Sequence, residues 1–180
     1  DFDRKAISLA MTGLDVTEVR LAPEVPSDTA TVLEVSNISS KGRFKNVSFS
    51  VKAGEILGIT GLLGSGRNEI AEALFGMTAI ESGEVSVKGT PIALKGPRSA
   101  VSAGIGYVPQ DRLTQGLFLN QSIRRNVMAS AIERFLGAAG FIKGAEINDT
   151  VNTWVTDLKI KTDNPDNPAT SLSGGNQQRV

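Results

Sequence analysis

The sequence predicts an α/β protein, and three observations carry that prediction. First, Glu55-Ile56-Leu57-Gly58-Ile59-Thr60 reads as a short buried strand. It runs through a glycine-rich turn into Glu69 to Phe75, where Ile70, Ala73 and Leu74 share a helical face. Second, segments of strand character bracket this unit, at Thr31 to Ser36, Phe44 to Val51 and Ser82 to Gly89. Third, from Ser122 onward the apolar residues recur at helical spacing.

Taken in order, Asp3 to Leu14 places Ile7, Ala10, Met11 and Leu14 at helical spacing, and Leu21 to Ala30 carries Pro23 and Pro26 as an extended linker. Residues 1–30 are therefore expected to be the end of a preceding domain and its linker, and residues 31–180 a second, incomplete domain. Alternation from Val47 to Val51 marks a half-buried strand, and Ala53-Gly54 marks a turn. An antiparallel β-portion is expected over about Val32 to Val51 and Glu84 to Ile92. Arg98 to Ala103 reads as a short helix after Pro97, and Gly104 to Pro109 as a strand stopped by proline, with Gln110-Asp111-Arg112 on its exit loop. Ser122 caps a helix with Ile123, Val127 and Ile132 on one face, continuing toward Phe135 and Leu136 until Gly137 and Gly140 interrupt it. Glu146 to Leu158 forms another, with Ile147, Val151, Trp154, Val155 and Leu158 facing a core; the indole of Trp154 is assigned to packing. Asp163 to Pro168 is rich in turn residues, and a helical subdomain is expected over residues 117–170.

Composition bounds the chemistry. The chain has no cysteine and no histidine, which removes disulfides, thiolate metal sites and imidazole catalysis. The formal net charge is zero, so no general field draws it to nucleic acid or an acidic membrane surface. No apolar run is long enough to span a bilayer. The expectation is a soluble, cytoplasmic protein cut from a longer polypeptide.

Two motifs carry function. Gly61-Leu62-Leu63-Gly64-Ser65-Gly66-Arg67-Asn68, followed by Glu69, has the glycines of a phosphate-binding loop between a strand and a helix. Such glycines let the backbone curl its N–H groups toward an anion, and the helix N-terminus adds partial positive charge. Arg67 and Asn68 stand where the pattern has Lys and then Ser or Thr. Arginine keeps the charge on a larger planar fork, and Asn offers a carbonyl in place of the Mg²⁺-binding hydroxyl. A glycine-rich turn without a ligand is the alternative. A dinucleotide fingerprint is disfavoured, because Glu69 stands where a third Gly or Ala belongs. The second motif is Leu172-Ser173-Gly174-Gly175-Asn176-Gln177, in which Ser173 is placed to cap a helix whose glycines admit a phosphate. An ordinary loop-to-helix entry fits it equally well. Gln110 is either a ligand-facing residue or an exposed loop amide.

Together the Gly61–Asn68 loop, Gln110 after Tyr107-Val108-Pro109, and Leu172 to Gln177 resemble the nucleotide-binding cassette of ABC transporters, in that family's order and with a helical insert between the last two. Gly58 to Glu69, with Arg67 in the loop, and Leu172 to Arg179, where the family's run usually ends in Lys, are most similar to the second cassette of double-cassette ATPases of bacterial sugar importers of the ribose, galactose, arabinose or xylose type. The resemblance implies a P-loop NTPase core with an antiparallel β subdomain and an inserted helical subdomain. It implies ATP and Mg²⁺ as ligands. Gly61, Leu62, Gly64, Ser65, Gly66, Arg67, Asn68, Glu69 and Gln110 would bind the nucleotide, with Asn68 and Gln110 toward the metal. Leu172, Ser173, Gly174, Gly175, Asn176 and Gln177 would form a signature acting on nucleotide held by another cassette. Partners implied are transmembrane permease subunits, another nucleotide-binding cassette and, through the complex, a solute-binding protein, at the cytoplasmic face of the membrane. Phe44 is the nearest candidate for the family's adenine-stacking aromatic. The family's Walker B strand, catalytic Glu and switch His lie beyond Val180, so no catalytic residue is expected here and the full polypeptide, rather than this portion alone, is expected to hydrolyse ATP. Two other readings stay open: a non-hydrolysing regulatory cassette, favoured by Arg67 and Asn68, and an ABC-type ATPase of DNA repair, disfavoured by neutral charge and the lack of zinc-binding cysteines.

Overall fold

The computed structural model describes residues 6–7, 10–11, 25–135 and 144–180. The expected N-terminal helix is helical at residues 6–7 and 10–11; its remainder, and the linker up to residue 24, lie outside the described residues. The chain divides into two units, residues 1–107 and 108–180.

In the first unit, β1 (Thr31–Ser40) pairs antiparallel with β2 (Phe44–Lys52) on one side and β3 (Ser82–Val87) on the other, and β4 (Thr90–Pro91) closes the order β2-β1-β3-β4. Val35 faces Phe49 in β2 and Val85 in β3, so the central strand contributes the most buried side chains. Val35 and Ile38 are both buried although they are three residues apart, an odd spacing that would put them on opposite faces of a regular strand. A register shift between them, with Asn37 at φ 51, turns both inward. The Asn37 N–H then donates to Ser48 Oγ at 2.8 Å. Leu33, Phe44, Val47, Phe49, Leu74, Ile80, Ile92 and Leu94 pack around this cluster. The antiparallel portion is where the alternation predicts it.

The glycine-rich turn feeds helix α1 (Arg67–Leu74), which buries Ile70 and Ala73. A second short helix, α2 (Pro97–Ser102), starts with proline at its first position, where a missing N–H is harmless. Two expected strands are corrected. Neither Glu55 to Thr60 nor Gly104 to Pro109 forms a ladder, and Ile56 and Val108 are 72% and 92% exposed. A strand exists only by pairing, and among the described residues no neighbouring strand lies beside either segment. Their apolar alternation therefore has no sheet face to enter.

The second unit is built on α3 (Ile123–Ala129) and α4 (Gly144–Asp157). Ile123, Val127, Met128, Ile147, Val151, Ile160 and Leu172 form its core, with Trp154 and Val155 packed against it. Ser122 Oγ caps α3 by accepting from the Arg125 N–H at 3.2 Å. The buried Asn126 is satisfied locally: its carbonyl accepts from the Phe118 N–H at 2.8 Å and its amide donates to Phe118 O and Ser122 O. The turn-rich loop docks on the start of α3, where Ile123 N–H donates to Asn167 O and Arg124 pairs with Asp166 at 2.7 Å. The first helix is shorter than the periodicity predicts. It ends at Ala129, and a 3₁₀ turn, Ile132–Phe135, follows with i→i−3 bonds from Ala131 and Arg134. Leu136, Gly137 and Gly140 lie outside the described residues. Trp154 is half-buried on the core, as assigned.

Candidate functional site

The phosphate-loop residues belong to the first unit. Gly64 and Gly66 adopt φ 78 and φ 90, so the backbone at these two positions takes the left-handed conformation that glycine bears without strain. The two glycines do different work. A Cβ on Gly64 would meet nothing, whereas a Cβ on Gly66 would lie 2.8 Å from the Arg43 carbonyl oxygen and 3.3 Å from Phe44 Cβ. Gly66 thus lets the loop press against the turn joining β1 to β2. Gly61 makes room for Ser65, whose Oγ would lie 2.4 Å from a Cβ there. Gly66 caps α1 by backbone position with no side-chain hydrogen bond, leaving the first helical turn uncapped by side chains. Leu62 and Leu63 are 86% and 94% exposed at the loop tip. Arg67 is half-buried and turns back, its Nη1 donating to Gly61 O at 3.3 Å, so the guanidinium bridges the two ends of the loop. Asn68 and Glu69 follow in the first turn, both half-buried. Glu69 is the acidic residue that such a helix start favours.

Phe44 packs on the apolar cluster of the sheet. At the other end of α1, Phe75 stacks on Tyr107 with ring centroids 5.3 Å apart. Burial, and next the charge of Glu72, raise the Tyr107 phenol above its ordinary value.

Gln110 and the signature residues belong to the second unit. Gln110 is exposed. Asp111 next to it holds the following turn, Arg112–Gly116: its carboxylate accepts from the Leu113 N–H at 3.0 Å and from Thr114 Oγ1 at 2.7 Å. The Thr114 hydroxyl first, then the Leu113 N–H, hold the Asp111 carboxyl below the usual carboxylate range.

Leu172 anchors the signature in the core, while Ser173, Gly174 and Gly175 are exposed. Ser173 occupies the N-cap position of α5 (Gly174–Gln177), and its carbonyl accepts from the Asn176 and Gln177 N–H groups, each at 2.9 Å. Its hydroxyl does not cap the helix as the sequence predicts. It accepts from Asn176 Nδ2 at 3.0 Å, because the Asn176 side chain folds back over the turn while its carbonyl accepts from the Lys161 N–H at 3.1 Å. Gln177 Nε2 donates to Ala169 O at 3.3 Å. One contact is missing from the sequence reading. Arg112 reaches the signature, its Nε donating to Gln177 Oε1 at 3.5 Å and its Nη2 lying 3.1 Å from where a Gly174 Cβ would be. Nothing in local spacing links residues 65 positions apart.

The structure thus brings Gln110's loop and the signature into one unit and places the glycine-rich loop in the other. The family model for ABC transporters matches residues 44–180. The chain belongs to the ABC transporter family. Among its relatives, the ribose import ATP-binding protein RbsA of Geobacillus kaustophilus is 45% identical over 148 residues, covering 82% of this chain and 30% of that protein. The protein of the same name from Bacillus licheniformis is 41% identical over 180 residues, all of this chain and 36% of its own length. The chain therefore spans only 30% to 36% of these relatives. Solved ABC cassettes share the fold. The protein cbiO1 from Clostridium perfringens, part of the transporter complex cbiONQ, aligns with a TM-score of 0.63 at 22% identity over 83% of this chain and 59% of that one. A nucleotide-free ATP-binding cassette aligns at 0.60 and 21% identity, covering 83% of this chain and 64% of that one. The expected α/β class holds: the described residues combine the antiparallel sheet and helices of an ABC cassette.

Proposed function

We propose that this chain is an ATP-binding cassette of an importer ATPase that energises uptake of ribose or a similar sugar, with a phosphate loop departing from the usual residues and a signature that works on nucleotide held by another cassette. The observation that carries the reading is the match to ribose import ATP-binding proteins over the whole chain at 41% identity. The loop geometry supports a nucleotide. Two left-handed glycines and an uncapped helix start form a cradle of the kind a phosphate chain occupies. Bound ATP supplies the phosphoryl group whose transfer to water drives transport, and Mg²⁺ neutralises its charge.

The residues then divide the work. Gly61, Leu62, Gly64, Ser65 and Gly66 would line the cradle with backbone N–H groups, that of Ser65 having first to leave Leu62 O, to which it donates at 3.0 Å, and Arg67 would add a fixed positive charge. Arg67 is already engaged with Gly61 O, so it closes the loop as well as charging it. Asn68 offers Mg²⁺ a carbonyl oxygen, a hard ligand on a longer arm than a hydroxyl. Gln110 would orient metal or water, and Ser173 to Gln177 would cap the partner cassette's nucleotide. Permease subunits, a second cassette and a solute-binding protein are the partners of this reading, and the cassette sits peripherally at the cytoplasmic face of the membrane. Among the described residues no helix is long and apolar enough to cross a membrane. A second reading, a regulatory cassette that binds but does not hydrolyse, is favoured by Arg67 and Asn68.

The test compares Gly174→Asp with Arg67→Ala in the full-length polypeptide with its membrane partners. A side chain at Gly174 would start 3.1 Å from Arg112 Nη2, so a carboxylate there would both compete for that guanidinium and put negative charge at the signature, where it would repel a phosphate in a partly dry interface by several kcal/mol. Gly174→Asp is expected to abolish most ATPase activity and Arg67→Ala to leave a measurable part. Normal turnover by Gly174→Asp with none by Arg67→Ala would reverse the roles and end the asymmetric reading.

A further inference from the structure

We infer that Arg112 is a positioning residue that locks the signature turn to the Gln110 loop by gripping Gln177 and lying along the open face of Gly174. The inference rests on reading Leu172 to Gln177 as the signature.

Arg112 opens the turn Arg112–Gly116, which is fixed from both ends. Asp111 holds its start through Leu113 and Thr114. Gly116 brings its end back beside its start, since a Cβ there would lie 3.5 Å from Arg112 Cβ, an ordinary contact, and 3.3 Å from Pro109 Cγ. The stem is thereby aimed, and the side chain is half-buried. Its head makes two contacts along the one edge that carries Nε and Nη2: Nε donates to Gln177 Oε1 at 3.5 Å, and Nη2 lies 3.1 Å from where a Gly174 Cβ would be. Gln177 cannot swing freely to follow, because its Nε2 donates to Ala169 O at 3.3 Å. Gln177 is also only half-exposed, so its amide has few other partners. Asn176 completes the restraint by tying Ser173 Oγ to the Lys161 N–H.

The signature is therefore held along one side by its own unit's core and along the other by Arg112. A planar guanidinium presents Nε and Nη2 together along one rigid edge; an ammonium on a flexible stem has no such edge. A methyl group at Gly174 would press on the guanidinium, which would have to give by a few tenths of an ångström. A displacement of the Gln110 loop would carry Arg112 with it and tilt the signature.

The test uses the full-length polypeptide with its membrane partners and reads kcat and KM for ATP. Arg112→Ala should lower kcat about tenfold or more and change KM less than about twofold, since capture at the phosphate loops is untouched. Arg112→Lys should recover little of that loss. Gln177→Leu should cost several-fold alone but less than about twofold in the Arg112→Ala background, because one contact is removed twice. Wild-type turnover by Arg112→Ala overturns the inference. So does full rescue by Arg112→Lys, which would mean that bare charge suffices, or full multiplication of the Arg112 and Gln177 losses. Gly174→Asp runs alongside: if it turns over normally, the signature reading itself falls, whereas an inactive Gly174→Asp beside an active Arg112→Ala removes only the role of Arg112.

Discussion

Gly66 and Gly64 offer a controlled pair for testing whether the phosphate loop is held by the sheet behind it. Both have positive φ, so alanine at either position bears the left-handed strain of a β-carbon, about 1–2 kcal/mol. Only at Gly66 does the new methyl also strike backbone, at 2.8 Å from Arg43 O. That carbonyl belongs to the turn whose Arg43 N–H is bonded to Ser40 O, so it cannot retreat without loosening the β1–β2 connection. Overpacking of this kind adds about 1–3 kcal/mol. Gly66→Ala should therefore be the more destabilising by that margin. It should relieve the clash by lifting the loop and misdirecting the first N–H groups of α1. ATP titration by calorimetry on the full-length polypeptide, with a second-site variant silencing the other cassette's loop, should show Gly66→Ala binding about tenfold more weakly than Gly64→Ala. Thermal melts should order the two variants the same way. Equal losses of affinity and melting temperature would refute the reasoning, because strain alone would then account for both.

Other outcomes follow from single contacts. Arg67→Lys with Asn68→Ser should tighten Mg-ATP binding and make it more dependent on Mg²⁺, since it restores the hydroxyl ligand; calorimetry with and without the metal decides it. Gly83→Ala should destabilise the sheet by about 2–5 kcal/mol, because φ is 90 and the methyl would lie 2.5 Å from the Asn37 carbonyl group; denaturant midpoints report it. The Arg124 guanidinium, chiefly through its hydrogen bond, holds the Asp166 carboxyl below the usual carboxylate range. The stabilisation this gives is present above the unfolded pKa and is lost as pH falls through the lower folded value, so acid unfolding followed below about pH 4 should be less steep in Asp166→Asn.

The sheet and the helices α3 and α4 were legible because each buries one face in its own unit: Val35 and Val85 in one, Ile123, Ile147 and Val151 in the other. Periodicity reports that kind of burial directly. It failed at Glu55 to Thr60 and Gly104 to Pro109, where the pattern is that of a strand but pairing depends on a neighbour that the segment itself does not encode. The register shift that turns both Val35 and Ile38 inward was equally invisible, since alternation assumes a regular pleat.

The site divides along the same line. The glycines of the loop could be read from their spacing, because a left-handed backbone demands glycine wherever it occurs. Which glycine also faces a backbone carbonyl could not, since Arg43 reaches Gly66 only after β2 has folded beside the loop. The signature was legible as a run of letters, yet its internal economy was not. Ser173 was expected to cap with its hydroxyl, and instead that hydroxyl receives Asn176, leaving the helix start held by main chain alone. An oxygen already accepting one hydrogen bond retains its own proton to donate outward. A serine that caps its own helix would keep that proton too, so the exchange of a helix N–H for the Asn176 amide changes which residue aims the hydroxyl, not whether it can donate. The departure from the expected cap thus makes Asn176 the residue that ties the Ser173 hydroxyl to the Lys161 N–H and so sets the direction of that hydroxyl.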